Sequence, residues 1–361
     1  MVTISLCMIV KDEERTLARC LDSVQGVADE IIVVDTGSTD RTKEIAAQYT
    51  DRLYHFNWVD DFSAARNYSF SLATQDYMMW LDADDWLKPE DLAALLSLKQ
   101  TLSHNVDVVS MNYNVAFDPL GEPTAVVKRD RLVKRSRQFR WHDPVHEYLA
   151  VEGHRIVSDI AICHSREHCD AERNLRIYER MAARGELFTI RQMQHYAMEL
   201  SANGHYEQAI GLYRRLAEDS SVPPEAKLEC CDRMAHCYHE LGNREEELRA
   251  LLHTFHYDVP RADYVCRIAY YFQENREWEK AIHWYRLALK LEKPANRTLS
   301  VNPAAWTWFP HLQLAACYGK LGKLRQAYEH NEIALSYSPD DTNLLANKRL
   351  LEKHMRLGRR K

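Results

Sequence analysis

Short apolar runs alternate with amphipathic ones along the first hundred residues. TISLCMIV, DEIIVVDTG and YMMWLDA read as strands, whereas ERTLARCLDSV, TKEIAAQY and PEDLAALLSLKQTL place apolar residues three and four apart and read as helices. Strand and helix in alternation predict a parallel sheet covered by helices. IIVVD is apolar throughout, as a strand buried on both faces should be. Between residues 105 and 165 the rhythm changes. VDVVSMNYNVAF, AVVKRDRLVKR, a turn-rich piece ending in WHDPVHEYL, and IVSDIAICH read as antiparallel strands that extend the sheet and wall its open end. Ligands in such sheets bind beyond the carboxyl ends of the strands, where Lys11, Asp35 and the DADD run fall.

From about residue 170 strand signals vanish and helical periodicity takes over. Four segments align at a turn: NGHYEQAIGLY (203 to 213), LGNREEELRAL (241 to 251), NREWEKAIHWY (275 to 285) and LGKLRQAYEHN (321 to 331). The aligned turn positions are Gly204, Gly242, Arg276 and Gly322, which are 38, 34 and 46 residues apart. This pattern resembles the tetratricopeptide repeat, a helix-turn-helix unit with a period of about 34. In the third copy Trp278, Ala281, Ile282 and Tyr285 share one helix face, with the small Ala281 allowing close approach. PANRTLSVNPAAW reads as an inserted loop that lengthens the last spacing, and SPDDTNLLANKRLLEKHMRLGRRK as a capped terminal helix with a basic end. The expected division is residues 1–170 as an α/β domain and 171–361 as an all-α domain.

Composition narrows the class. A length of 361 residues suits two or three domains, and 47 basic against 53 acidic residues leave a net charge of −6, which argues against nucleic acid as a partner. The nine cysteines show neither a CxxC nor a regular framework, so they read as buried thiols of a reducing cytoplasm. MVTISLCMIV runs at once into KDEER and reads as a first strand rather than a leader. No window reaches the roughly 18 apolar residues of a membrane helix, and a cytoplasmic protein is expected.

The candidate chemistry begins at WLDADDW, residues 80 to 86. Buried carboxylates neutralise, pair or bind a metal, so three of them beside an apolar strand require partners. Asp82 and Asp84 are two apart and can both reach one hard cation through oxygen. Asp85 reads as no more than the start of the helix near Lys88 and Pro89. KRDRLVKRSRQFR, residues 128 to 140, is the strongest basic run and reads as a solvated face without the aromatics of a nucleic-acid platform. CHSREHC packs Cys163, His164, His168 and Cys169 too closely for a zinc finger.

SLCMIVKDEERTLARCLDSV, DEIIVVDTGSTDRTKEIA, FSAARNYSF and WLDADD, in that order over about ninety residues, resemble the family 2 glycosyltransferases. The resemblance implies an inverting enzyme of GT-A fold that uses a nucleotide-activated sugar. It would place Val10, Lys11, Glu13 and Asp35 around uridine, and Arg66, Asp82, Ala83 and Asp84 at the donor, with Mn2+ or Mg2+ held by Asp84. His164 is a late residue of the kind such folds supply to the metal. Asp12 stands where the family often has asparagine, and its side chain is given no donor role. The usual ED motif for the general base is missing. FRWHDPVHEYL resembles the W-x-x-x-V-H-E element of a bacterial branch of the family, which makes Glu147 the expected base, with His146 and Asp143 as alternatives and Trp141 as an apolar wall on the acceptor side.

Together the two halves resemble the peptide S-glycosyltransferases that modify glycocins. That likeness implies transfer from a UDP-sugar to a Cys or Ser side chain of a peptide or protein, by a homodimer joined through its repeats. Two other functions fit the same residues. One is transfer to a cell-envelope glycan or lipid-linked acceptor. The other is a non-catalytic repeat scaffold that only binds nucleotide-sugar, against which the intact Asp35, Asp82 and Asp84 count.

Overall fold

A computed structural model describes residues 1–118, 121–165, 172–293 and 302–358, and divides into two compact units, Met1–Glu186 and Leu187–Lys361. In the first unit the strands are β1 (Ile4–Val10), β2 (Glu30–Asp35), β3 (Leu53–His55), β4 (Tyr77–Trp80), β5 (Asp85–Trp86), β6 (Val108–Phe117), β7 (Pro123–Lys134), β8 (Arg140–His142), β9 (Tyr148–Ala150) and β10 (Arg155–His164). Eight of them form one sheet in the order β3-β2-β1-β4-β7-β6-β10-β5. β1 runs parallel to β2, with Val10 opposite Asp35, and parallel to β4, with Cys7 opposite Trp80. The sheet is mixed but mainly parallel in its first half, as the alternating pattern predicts.

The segment from 105 to 165 does extend the sheet, with one difference in pairing. β7 is antiparallel to both β4 and β6, whereas β10 pairs with β6 in parallel. Alternation of side chains is the same in either sense, so periodicity cannot choose between them. The short pair β8 and β9 stands apart from the main sheet.

Helices α1 (Leu17–Ser23), α2 (Thr42–Ala46), α3 (Phe62–Ser71) and α4 (Pro89–Thr101) link these strands. One apolar cluster joins β1, β4 and β6 to α1 and α4 through Ile4, Leu17, Leu21, Tyr77, Leu95 and Val109. A second lies among Cys7, Ile32, Phe70, Met78, Trp80 and Trp141. α5 (Arg173–Ala183) also belongs to this unit and buries Leu175, Ile177, Tyr178 and Met181.

The second unit is helical: α6 (Ile190–Ala202), α7 (Tyr206–Glu218), α8 (Pro224–Glu240), α9 (Arg244–His253), α10 (Ala262–Glu274), α11 (Trp278–Ala288), α12 (Trp308–Lys320), α13 (Leu324–Tyr337) and α14 (Thr342–Gly358). The four aligned turns connect α6 to α7, α8 to α9, α10 to α11 and α12 to α13. Gly204, Gly242, Arg276 and Gly322 all take left-handed backbone, with φ of 82°, 71°, 59° and 70°. That conformation explains the recurring glycine, because a Cβ is disfavoured there, and it makes Arg276 the exception. Ala281 and Tyr285 are fully buried with Val265, Ala269 and Leu314. Most of the inserted piece after Lys293 lies outside the described residues. No described helix is long and apolar enough to cross a membrane.

Candidate active site

The site grows from strand ends. β1 and β2 finish in register, and the loops that follow them are laced together. Asp12 adopts φ 54°, a conformation asparagine and aspartate tolerate. Its Oδ1 accepts from the Thr39 N–H at 2.7 Å, and its own N–H donates to Ser38 Oγ at 3.0 Å. Asp35 is 2% exposed, and its carboxylate accepts from the N–H groups of Gly37 and Ser38 at 3.1 Å. His55 Nδ1 lies 3.8 Å from it. The carbonyl of the buried Val10 accepts from the Thr36 N–H at 2.9 Å. Lys11 is exposed. Glu13 donates its N–H to Thr42 Oγ1 at 2.7 Å, and its carboxylate accepts from the Thr16 hydroxyl at 2.6 Å.

Next to this pair of loops, the end of β4 leads into the Asp82–Asp85 turn. The Asp85 N–H donates to the Asp82 carbonyl, and the Asp82 N–H donates back to Asp85 Oδ2, both at 3.0 Å. Asp85 therefore does not cap a helix. α4 begins at Pro89 after Lys88, without a side-chain cap, and the Asp85 carboxylate is 0% exposed. The expectation for Asp85 fails because its partners come from distant strands. Oδ1 accepts from the Tyr113 hydroxyl at 3.0 Å and meets His164 Nδ1 at 3.2 Å, while Oδ2 pairs with Arg131 Nη1 at 3.0 Å.

Arg131 corrects a second expectation. It belongs to the run read as a solvated face, yet it is 0% exposed. Its guanidinium lies 3.8 Å from the Trp80 ring centroid and 4.3 Å from that of Tyr113, and it donates to the Trp80 carbonyl at 3.2 Å. Lys128 and Arg129, by contrast, are exposed. A hint was present in the sequence. The run passes from KRD into the apolar LV, so Arg131 stands where β7 enters the middle of the sheet between β4 and β6.

α3 supplies the other cation. Arg66 is 7% exposed and spans two carboxylates: Nη2 donates to Asp82 Oδ1 and Nε to Glu147 Oε1, each at 2.7 Å. Burial alone would raise the Asp82 carboxyl, but Arg66 and then Arg131 outweigh it and hold the group below the usual carboxylate range. Trp80 and Trp141 flank the guanidinium at 4.9 and 4.8 Å. Trp141 is 5% exposed and packs edge-on against Trp80 and Phe70.

The neighbouring Asn67 clamps the Trp141 backbone in both directions at 2.9 Å. Pro144 accepts from the Phe62 N–H at 2.9 Å, and Val145 from the Tyr178 hydroxyl at 3.5 Å. Within this anchored segment Asp143 and His146 both take left-handed backbone, with φ of 69° and 53°. Glu147 is thereby presented to Arg66 and, through it, to Asp82.

Asp84, Asp85 and His164 offer ligand atoms within 4.8 Å of one another. The antiparallel pairing of β5 with β10 sets His164 opposite Asp85, and the Ser165 N–H donates to the Asp84 carbonyl at 3.1 Å. Burial disfavours charge on His164, but its hydrogen bonds to Asp84 and Asp85 prevail and push its pKa up to about 10. The donor set, carboxylate oxygens with one imidazole, suits a divalent cation. Since four donors already engage Asp85, Asp84 and His164 have more capacity to bind one. His168 and Cys169 lie outside the described residues, and the eight described cysteines are free and buried.

The carboxylates gathered at the carboxyl ends of β1, β2 and β4 mark that end of the α/β sheet as a ligand site. Residues 5–149 match the family model described as glycosyl transferase family 2. Over those residues the first unit is similar to family 2 glycosyltransferases, and the helical second unit keeps the turn pattern that resembles tetratricopeptide repeats. The chain is 41% identical over 154 residues to a TPR repeat-containing protein of Synechococcus elongatus, covering 41% of this chain and 36% of that protein. It is 30% identical over 150 residues to the SPbeta prophage-derived glycosyltransferase SunS of Bacillus subtilis, covering 40% and 34%. An uncharacterized glycosyltransferase, YibD, of Escherichia coli is 32% identical over 125 residues, covering 34% and 36%. The chain thus spans about a third of the length of these relatives.

Proposed function

We propose that the first unit transfers a sugar, with inversion, from a UDP-sugar to a Cys or Ser side chain of a peptide or protein, with Mn2+ or Mg2+ as cofactor. Arg66 carries this reading. By joining Asp82 to Glu147 it brings a donor-side carboxylate and a basic carboxylate into one buried chain of hydrogen bonds, although 65 residues separate them. A scaffold that only binds nucleotide-sugar has no need of the second carboxylate there. The match to family 2 and the likeness to the glycosyltransferase SunS support the same class.

In this scheme Val10, Lys11, Glu13 and Asp35 receive the uridine, and Asp82 with Ala83 the ribose and sugar side. Asp84 and His164 hold the cation. When bound, the cation neutralises charge developing on the diphosphate leaving group. Glu147, oriented by Arg66, takes the proton of the acceptor hydroxyl or thiol while that atom bonds to the anomeric carbon and the carbon–oxygen bond to diphosphate breaks. His146 flanks this base, and Trp141 backs the acceptor side by holding Arg66. The helical unit would bind acceptor polypeptide or a second copy. It has a polar cavity of about 480 Å3 lined by Asp232, Arg233, His239, Glu247, Arg267 and Tyr270.

The test is a panel of UDP-sugars with Mn2+, following UDP release and the mass of Cys- and Ser-containing peptides. Wild-type turnover is expected, with a loss of about a hundredfold or more in Asp84→Ala. Equal or absent turnover in both proteins overturns the enzyme reading. Donor hydrolysis with label passing only to glycan would replace the peptide acceptor by an envelope one.

A further inference from the structure

We infer that Arg131 is a positioning residue for the donor and cation site, acting through Asp85; the inference rests on the function proposed for Asp82, Asp84 and His164. Both members of the Arg131–Asp85 pair are 0% exposed. A buried ion pair gives weak support to stability, since well-packed apolar residues of the same volume often serve as well or better. Its place in the network gives it a different use.

The bonds that the pair makes end on elements of the site. Arg131 donates to the carbonyl of Trp80, the residue from which the LDAD segment departs. Asp85 accepts from the N–H of Asp82, from Tyr113, and from Nδ1 of His164. A carboxylate that receives Nδ1–H of a histidine fixes the orientation of the ring, the usual outer support of a metal-binding imidazole, and the same Nδ1 lies 3.3 Å from Asp84 Oδ1, so Asp85 sets the ring against Asp84. Arg131 keeps the Asp85 carboxylate in place, with Trp80 and Tyr113 on its two faces. Its Nε and Nη2 have no hydrogen-bond partner among the described residues. Two unsatisfied buried donors are a poor bargain for stability alone, because desolvation is not repaid by bonds. The position therefore selects for where the guanidinium holds Asp85 rather than for the number of bonds it makes.

The experiment compares Mn2+ binding by calorimetry, and UDP-sugar KM against kcat, in the full chain. The double variant R131M/D85N removes the pair without leaving a lone charge. It is expected to melt close to wild type but to bind Mn2+ about 10- to 100-fold more weakly, the range seen when the outer support of a metal ligand is lost. Its KM for donor should rise with the loss of metal affinity. R131K, which keeps the charge and loses the fork, serves if the double variant does not fold; its affinity should fall at unchanged melting temperature. Wild-type affinity in either folded variant overturns the inference. Absence of Mn2+ and Mg2+ binding in wild type, or its survival in D84N, would instead be the failure of the functional reading beneath it.

Discussion

In the first unit the deepest side chains include Arg131 and Asp85, whereas the same depth in the second is filled by Ala281, Tyr285, Leu314 and Ala327. The difference follows from how each unit is assembled. At one end of the sheet the turn after β4, the strands β7 and β10 and the helix α3 converge, so Asp82, Arg131, His164 and Arg66 meet from distant parts of the chain. Burial of each charge is tolerable only because another arrives opposite it. The repeats stack helix against neighbouring helix, and small residues beside aromatic ones fill most of the space, while the buried charges Glu247 and Arg261 pair with Arg244 and Asp263 only two or three residues away. The proposed site lies where burial is most expensive.

The contrast can be pressed from either side. The largest expected effect is at Glu147. Glu147→Gln should lower kcat about a hundredfold for a hydroxyl acceptor, with the melting transition little changed because Arg66 keeps Asp82. A thiol acceptor, itself accessible as thiolate near neutral pH, should suffer less. An unchanged kcat with both acceptors would remove Glu147 as the base. In the helical unit, Ala281→Leu overfills a fully buried position and should destabilise by about 1–3 kcal/mol, read as an earlier denaturant midpoint with donor turnover per folded molecule retained. A variant as stable as wild type would mean that this helix contact is loose.

A third measurement uses pH. His311 and His330, on α12 and α13, meet Nδ1 to Nδ1 at 2.9 Å. Burial and then the neighbouring His330 lower the pKa of His311 to about 4, and burial also lowers that of His330. The folded helices therefore favour neutral rings, while the unfolded chain takes up protons near 6.5. Stability contributed by this contact is full above about pH 6.5 and declines as pH falls toward 4. Melting temperature between pH 7.5 and 5 should fall less steeply in His311→Phe; equal slopes would show that the pair does not titrate. The smallest effect is at Arg276, where the other repeat turns have glycine at the same left-handed backbone. Arg276→Gly relieves that strain and should stabilise by about 0.5–1 kcal/mol, after allowing for the greater freedom of glycine in the unfolded chain. Destabilisation would reveal a contact of the arginine side chain that outweighs the turn.

Much of this architecture is legible along the chain. The alternation of IIVVD-like strands with amphipathic helices, the glycine turns and the packing face of Ala281 are local periodicities, set by side-chain spacing on a strand or a helix. The strand-end carboxylates Asp35, Asp82 and Asp84 stand out for the same reason, because short motifs carry them. Asp85 and Arg131 do not. One looks like a helix start and the other like part of a solvated run, since a residue's own neighbours say nothing about which charge will face it across a sheet.

What the sequence by itself determined is therefore the set of elements, their repeats and the chemistry at their ends. Which of β6's neighbours would be parallel, and which cation would answer which carboxylate in WLDADDW, was decided by the strand order. That order places β7 between β4 and β6 and pairs β10 with β5, and so sets Arg131 and His164 against Asp85. Partners 46 and 79 residues away are chosen by packing and desolvation acting on the whole domain, a nonlocal balance of energies that no window of sequence contains.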